Sequence, residues 1–227
     1  MVSRISIIIP AYNEEKSIGL VLKALPQRII HEIIVVDNNS TDDTARVALE
    51  HGARVVKEPR QGYGSACLRG IKELDAPDIV VFLDGDFSDF PEEIVSLIAP
   101  IEKNDEDFVL GSRMILPQSQ LALLPQARYG NRLAVFLIKL FFRHKFTDLG
   151  PFRAIRYSSL MSIGMKDIDF GWTVEMQIKA VRNGLRIQEV PVNYRKRIGT
   201  SKITGTVLGT FRAGTKIIYT IFKYLLP

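Results

Sequence analysis

Five short apolar runs, mostly β-branched, recur through the first half of the chain: Ile5–Ile9, Ile33–Val36, Arg54–Val56, Ile79–Leu83 and Phe108–Leu110. Helical patterns separate them over Glu14–Leu25, Asp43–His51, Gly64–Leu74 and Pro91–Lys103. β-Branched residues suit a pleated surface and a 3.6-residue period suits a helix, so the alternation predicts successive βα units. Parallel strands need crossovers of this kind, which places helices on both faces of a mainly parallel sheet. The expected fold class is α/β. In such sheets ligands lie beyond the carboxyl ends of the strands, and the polar clusters of this chain fall there.

The second half is less regular. Ala127–Phe142 and Trp172–Asn183 have helical patterns, and Gly184 marks the end of the second. Arg186–Tyr194 alternates as a strand does, and Pro191 within it predicts a sheet edge. The tail "TFRAGTKIIYTIFKYLLP" is apolar on most faces, with Arg212, Lys216 and Lys223 near one side at helical spacing. This predicts a C-terminal amphipathic helix, suited to a membrane surface, to the domain itself or to a second subunit of a homo-oligomer.

The fourth apolar run ends in "VVFLDGDFSDFPEE". In extended backbone residues i and i+2 share a face, so Asp84 and Asp86 aim two carboxylates at one spot. Gly85 between them permits a bend. Two such groups with no lysine nearby form a half-site for Mg²⁺ or Mn²⁺, hard ions that complete their shell with water and phosphate oxygens. The alternative is an Asp-Gly turn, but a hairpin needs a second strand, and "FSDFPEEIV" starts a helix instead.

Further polar clusters close the other strands. "IIIPAYNEE" sets Pro10, Ala11, Tyr12 and Glu14 after the first, and "VVDNNSTDDT" sets Asp37 and Ser40 after the second. Their carboxylates can accept hydrogen bonds from ribose, and Tyr12 offers a surface for a base. Turn formation and helix capping explain the same residues. "RQGYGSACLRG" adds glycines at a strand-to-helix junction, where amides can meet an anion.

Together "IPAYNEE", "VVDNNSTDDT", "FLDGD" and "VLGSR" resemble glycosyltransferase family 2. "TDLGPFRAIR" and "RKRIGTSK" extend the likeness over about the first 200 residues, toward the polyprenyl- or dolichyl-phosphate hexosyltransferases. The resemblance implies a Rossmann-like GT-A fold over residues 1–203, with a nucleotide-binding half (1–110) and an acceptor-binding half (111–203). Residues 204–227 would form the C-terminal helix. It also implies transfer of one hexose, mannose or glucose, from a GDP- or UDP-linked donor to a polyprenyl phosphate, with inversion.

By the same resemblance, Pro10, Ala11, Tyr12, Glu14, Asp37 and Ser40 line the nucleotide pocket, and Arg197, Ser201 and Lys202 close over the donor phosphates. Asp84 and Asp86 bind the metal. The third-ligand position holds Ser88 rather than glutamine, so Asp89 is the candidate substitute. Arg113 faces the acceptor phosphate, helped by Arg128, Asn131 and Arg132. A phosphate acceptor is already anionic near neutral pH, its second pKa being about 6, so no protein base is required. A hydroxyl acceptor would require one, from Asp148, Asp169 or Glu175. For Asp169 a helix cap, and for Glu175 an arginine partner, is the favoured role.

Charge is divided unevenly. Residues 1–110 carry 11 Lys and Arg against 20 Asp and Glu, a net −9, while residues 111–227 carry 19 against 5, a net +14. The basic half suits an acidic partner such as a membrane surface or a phosphorylated substrate. Nucleic acid would leave the acidic clusters without a role. No signal-peptide pattern opens the chain, no apolar run reaches the roughly 18 residues of a spanning helix, and Cys67 is the one cysteine. The expected location is cytoplasmic, peripheral on the cytoplasmic membrane face.

Overall fold

The computed structural model describes residues 3–199 and 207–225. One seven-stranded sheet forms the centre, in the order β3-β2-β1-β4-β6-β5-β7. Its first four strands are β1 (Ile5–Ala11), β2 (Glu32–Asp37), β3 (Arg54–Lys57) and β4 (Ile79–Phe82), all parallel. Helices α1 (Ile18–Ala24), α2 (Thr44–Glu50) and α3 (Tyr63–Lys72) connect them in the predicted βα order. The chain then passes through α4 (Ile94–Glu102), β5 (Phe108–Ser112), α5 (Pro117–Ala122) and α6 (Pro125–Phe142). It finishes with β6 (Arg153–Arg156), α7 (Tyr157–Ile163), α8 (Trp172–Arg182), β7 (Ile187–Pro191) and α9 (Val207–Lys223).

Strand β6 runs antiparallel between β4 and β5, while β7 pairs parallel with β5 at the edge, as Pro191 predicted. No expectation from sequence placed β6. It is four residues long and bears arginine at both ends. Arg153 is nevertheless fully buried, and it donates to the carbonyls of Thr173, Leu149 and Gly150. Burying such a cation is tolerable only with partners of this kind.

The two sides of each strand feed separate cores. Ile5, Ile7 and Ile9 pack with α1 and α4, whereas Ile8, Ile34 and Val36 pack with α3, α6 and α8. Helix α1 begins at Ile18 rather than Glu14, because residues 14–17 form a turn in which the amides of Ser17 and Ile18 donate to the Glu14 carbonyl. Helix α9 packs on α6 and α8 through buried Ala213, Thr220 and Ile221. Lys216 leaves the basic stripe expected on the tail and pairs with Asp167 at 2.9 Å.

Among the described residues no helix is long and apolar enough to cross a membrane.

Candidate active site

The strand ends converge on a cavity of about 330 Å³, within the range of small-molecule sites. Pro10, Ala11, Tyr12 and Glu14 line it from the end of β1, and Asp84, Gly85 and Asp86 from the end of β4. Parallel pairing of β1 with β2 and β4 brings these loops together. The loops after β1, β2 and β4 each hold a non-glycine residue in the left-handed region: Asn13 (φ 54°), Asn39 (φ 66°) and Phe87 (φ 60°). Strain of this kind gathers at functional loops.

The carboxylate pair is electrostatically tense. Asp84 Oδ1 is buried without a hydrogen-bond partner among the described residues. Burial, then the neighbouring charge of Asp86, pushes the Asp84 carboxyl up to about 7. Asp86 accepts from the amide (2.9 Å) and hydroxyl (2.5 Å) of Ser88. Its other oxygen lies 3.3 Å from Arg197 Nη1, and Arg197 Nη2 also pairs with Glu14. Two hard oxygen donors, one of them orphaned, fit a divalent cation that draws its remaining ligands from phosphate and water. Asp89 does not complete a protein cage: it is buried outside the cavity lining, and no cluster of three potential ligands forms among the described residues. Its backbone is bridged to Tyr194 and its carbonyl accepts from Arg195.

Residues 6–164 match the family model described as "Glycosyl transferase family 2". The chain belongs to that family. It is 37% identical to an uncharacterized glycosyltransferase of Mycobacterium tuberculosis, over 92% of this chain and 94% of the relative. It is 32% identical to a dolichyl-phosphate hexose transferase of Haloferax volcanii (98% and 94% covered). Identity to an undecaprenyl-phosphate mannosyltransferase of Micrococcus luteus is 30% (91% and 90%). Among solved structures, glucosyl-3-phosphoglycerate synthase of M. tuberculosis with Mn²⁺, UDP and phosphoglyceric acid superposes at a TM-score of 0.81 with 22% identity. That match covers 99% of this chain and 79% of the other. The fold is GT-A and the chain is a glycosyltransferase.

Other family-like residues occupy different places. Asp37 and Ser40 do not line the cavity but lock its rim: Asp37 Oδ1 accepts from the Ser40 amide, and Ser40 Oγ from the Asn13 amide, both at 3.0 Å. Asn131 is buried, with its amide nitrogen on the Thr147 carbonyl and its oxygen on the Leu149 amide. Arg128 and Arg132 reach toward solvent on α6, and neither forms an ion pair among the described residues. Arg113 clasps fully buried Asp148 through Nε (2.7 Å) and Nη2 (2.9 Å). Burial works against the Asp148 charge, but the Arg113 guanidinium and its hydrogen bonds hold that carboxyl below its ordinary value. Ser201 and Lys202 lie outside the described residues.

Part of the cavity lining escaped sequence reasoning. Asn38, Gln61 and Phe170 line the cavity from loops without a periodic signal. The segment 194–198 runs along the acidic loop, where the amides of Arg195 and Ile198 donate to the carbonyls of Ser88 and Asp86. Arg195 sits between the rings of Phe87 and Phe90, 3.6 and 4.0 Å from their centroids, and donates to the Phe87 carbonyl. That contact offsets the strained Phe87 backbone.

The "GYG" segment, whose Gly62 and Tyr63 line the cavity, also serves a packing role. A Cβ on Gly64 would lie 2.1 Å from the Asp167 carbonyl oxygen, and one on Gly62 2.3 Å from that of Ile168. These glycines let α3 approach the 167–170 loop. Gly64→Ala is expected to lower the thermal midpoint by several degrees and to weaken donor binding, measured by thermal melts and nucleotide titration.

Proposed function

We propose that this chain transfers one hexose, with inversion, from a nucleoside-diphosphate sugar to a polyprenyl phosphate presented at a membrane surface. The observation that carries the reading is helix α6. Tyr129, Leu133, Phe136 and Leu140 recur along one face and are 69, 48, 59 and 58% exposed, opposite buried Asn131, Ala134 and Ile138. A solvent-facing helix normally turns charge outward, whereas here a bare apolar ridge does so, flanked by Arg128, Arg132, Lys139 and Arg143. The ridge continues onto α9 through a ring contact of Phe141 with Phe222 at 5.5 Å. Apolar side chains beside cations suit the interface of an anionic bilayer, and two polyprenyl-phosphate relatives support the same acceptor.

In this reading residues 1–110 take the nucleotide, with Tyr12 against the base and Asp37 and Ser40 shaping the rim. Residues 111–203 take the acceptor. Asp84 and Asp86 hold Mg²⁺ or Mn²⁺, which when bound acts as a Lewis acid on the departing diphosphate. Arg197 adds charge at the same place, and Ser201 and Lys202 follow it in sequence. Asp148 uses two of the five N–H donors of Arg113, so the outer edge of the guanidinium remains for the acceptor phosphate. Arg128 and Arg132 then guide the headgroup from the membrane side, while Asn131 supports the Thr147–Leu149 loop. The acceptor oxyanion needs no base, consistent with two of the three carboxylates considered. Asp148 is consumed by Arg113, and Glu175 by the amides of Lys166 and Asp167 and by Lys179.

The test offers labelled UDP-glucose and GDP-mannose with Mn²⁺ to polyprenyl phosphate in anionic vesicles, and in parallel to phosphoglycerate. Label in the organic extract is the expected result. Leu133→Glu with Phe136→Glu is expected to reduce vesicle binding and lipid transfer at least tenfold while leaving nucleotide binding intact. Transfer to phosphoglycerate alone would overturn the lipid reading.

A further inference from the structure

Asp169 and Phe170 line the cavity that Asp84 and Asp86 enter, although more than 80 residues of chain separate the two pairs. Sequence reasoning favoured Asp169 as a helix cap. Helix α8 is instead N-capped by Gly171 without a side-chain cap hydrogen bond. The Asp169 carboxylate also forms no ion pair within 4 Å among the described residues. The Asp169 carboxylate takes a hydrogen bond from the neighbouring Phe170 amide and feels the charge of Lys216, while most of the anchoring of this loop falls to other groups. Ser65 donates its amide (2.9 Å) and hydroxyl (3.1 Å) to the Ile168 carbonyl, and the Asp169 amide donates to Asp167 Oδ1 (2.8 Å). The other oxygen of Asp167 pairs with Lys216, and Glu175 accepts from the amides of Lys166 and Asp167. The loop is therefore pinned from α3, α8 and α9, with Asp169 at the cavity wall.

Charge decides what that carboxylate can meet. A diphosphate would be repelled by it, and a dication already has the Asp84–Asp86 pair. The neutral, hydroxyl-bearing parts of a nucleotide sugar, its hexose and its ribose, are the portions of the donor that gain from it. A carboxylate offers about four lone-pair sites to hydroxyl donors, and an aromatic residue beside it can cover an apolar sugar face. We infer that Asp169, with Phe170, reads the hydroxyl pattern of the transferred hexose and thereby sets donor specificity. The inference rests on the donor reading proposed above and adds the residue that discriminates among sugars. Burial raises the Asp169 carboxyl above its ordinary value, as suits a group whose neighbours in the filled site are hydroxyls.

Titration calorimetry of wild type, Asp169→Asn and Asp169→Ser with Mn²⁺ separates the two readings. UDP and GDP probe the nucleotide, and UDP-glucose, GDP-mannose and their deoxy-sugar analogues probe the hexose. The expected result is unchanged nucleoside-diphosphate affinity in both variants, with a loss of about 10- to 100-fold for the preferred nucleotide sugar. The analogue lacking the recognised hydroxyl should bind wild type as weakly as the parent donor binds Asp169→Asn, with no further loss on combining the two changes. Nucleotide-sugar affinity and sugar discrimination equal to wild type in both variants would overturn this inference alone. A wild-type chain that binds no nucleoside diphosphate would overturn the donor reading, and this inference with it.

Discussion

Asp86→Asn is expected to lower hexose transfer by about three orders of magnitude, the equivalent of several kcal/mol of lost leaving-group stabilisation. The substitution keeps an oxygen to accept from the Ser88 amide and hydroxyl. Arg197 keeps Glu14 as a partner. It removes the charge that, after burial, raises the Asp84 carboxyl, so the fold should lose nothing and the melting midpoint should hold or rise. A chelator applied to wild type should give a comparable fall, reversed by Mn²⁺. Activity measured beside a melt checks the pairing: retention of more than a tenth of wild-type turnover would remove Asp86 from the metal site.

Asp148→Ala should act in the opposite way, on stability first. Asp148 is 0% exposed and anchors Arg113 through two side-chain contacts. It also accepts from the amides of Arg113 (2.9 Å) and Leu149 (2.7 Å). Removing one partner of a buried pair leaves the other uncompensated, at a cost of about 3–5 kcal/mol. For a chain of this size that is a fall of roughly 10 °C in the melting midpoint. The double replacement Arg113→Met with Asp148→Asn should recover part of the loss, because no bare charge then remains inside. Denaturant unfolding of the single and double variants measures this coupling, and equal losses in both would show that the pair is not the cause.

The parts of the molecule visible from sequence are those governed by local periodicity. Ile79–Leu83 is apolar along its whole length, and Ile5–Ile9 at every position but Ser6, because the strands are covered on both faces. The Asp84-Gly85-Asp86 spacing likewise exposes its geometry in three letters. Hidden features depend on partners far along the chain. Strand β6 depends on carbonyls at Leu149, Gly150 and Thr173 to accept the hydrogen bonds of buried Arg153. Asn131 looks like a ligand until its amide is seen closing the Thr147–Leu149 loop. Asp169 looks like a cap until Gly171 takes that position. Glycines 62 and 64 signal close approach in any case, but only the folded chain tells whether a phosphate or a peptide carbonyl is the neighbour.

The tethered guanidinium of Arg197, shared by Glu14 and Asp86, makes the resting pocket its own counterion reservoir. In the proposed reading a dication arriving alone would displace this guanidinium from Asp86 and leave it with Glu14 as its remaining partner. One arriving with a nucleotide offers the evicted arginine fresh oxygens on the diphosphate. Uptake would then be an exchange of cations, favouring joint entry of metal and donor over stepwise loading.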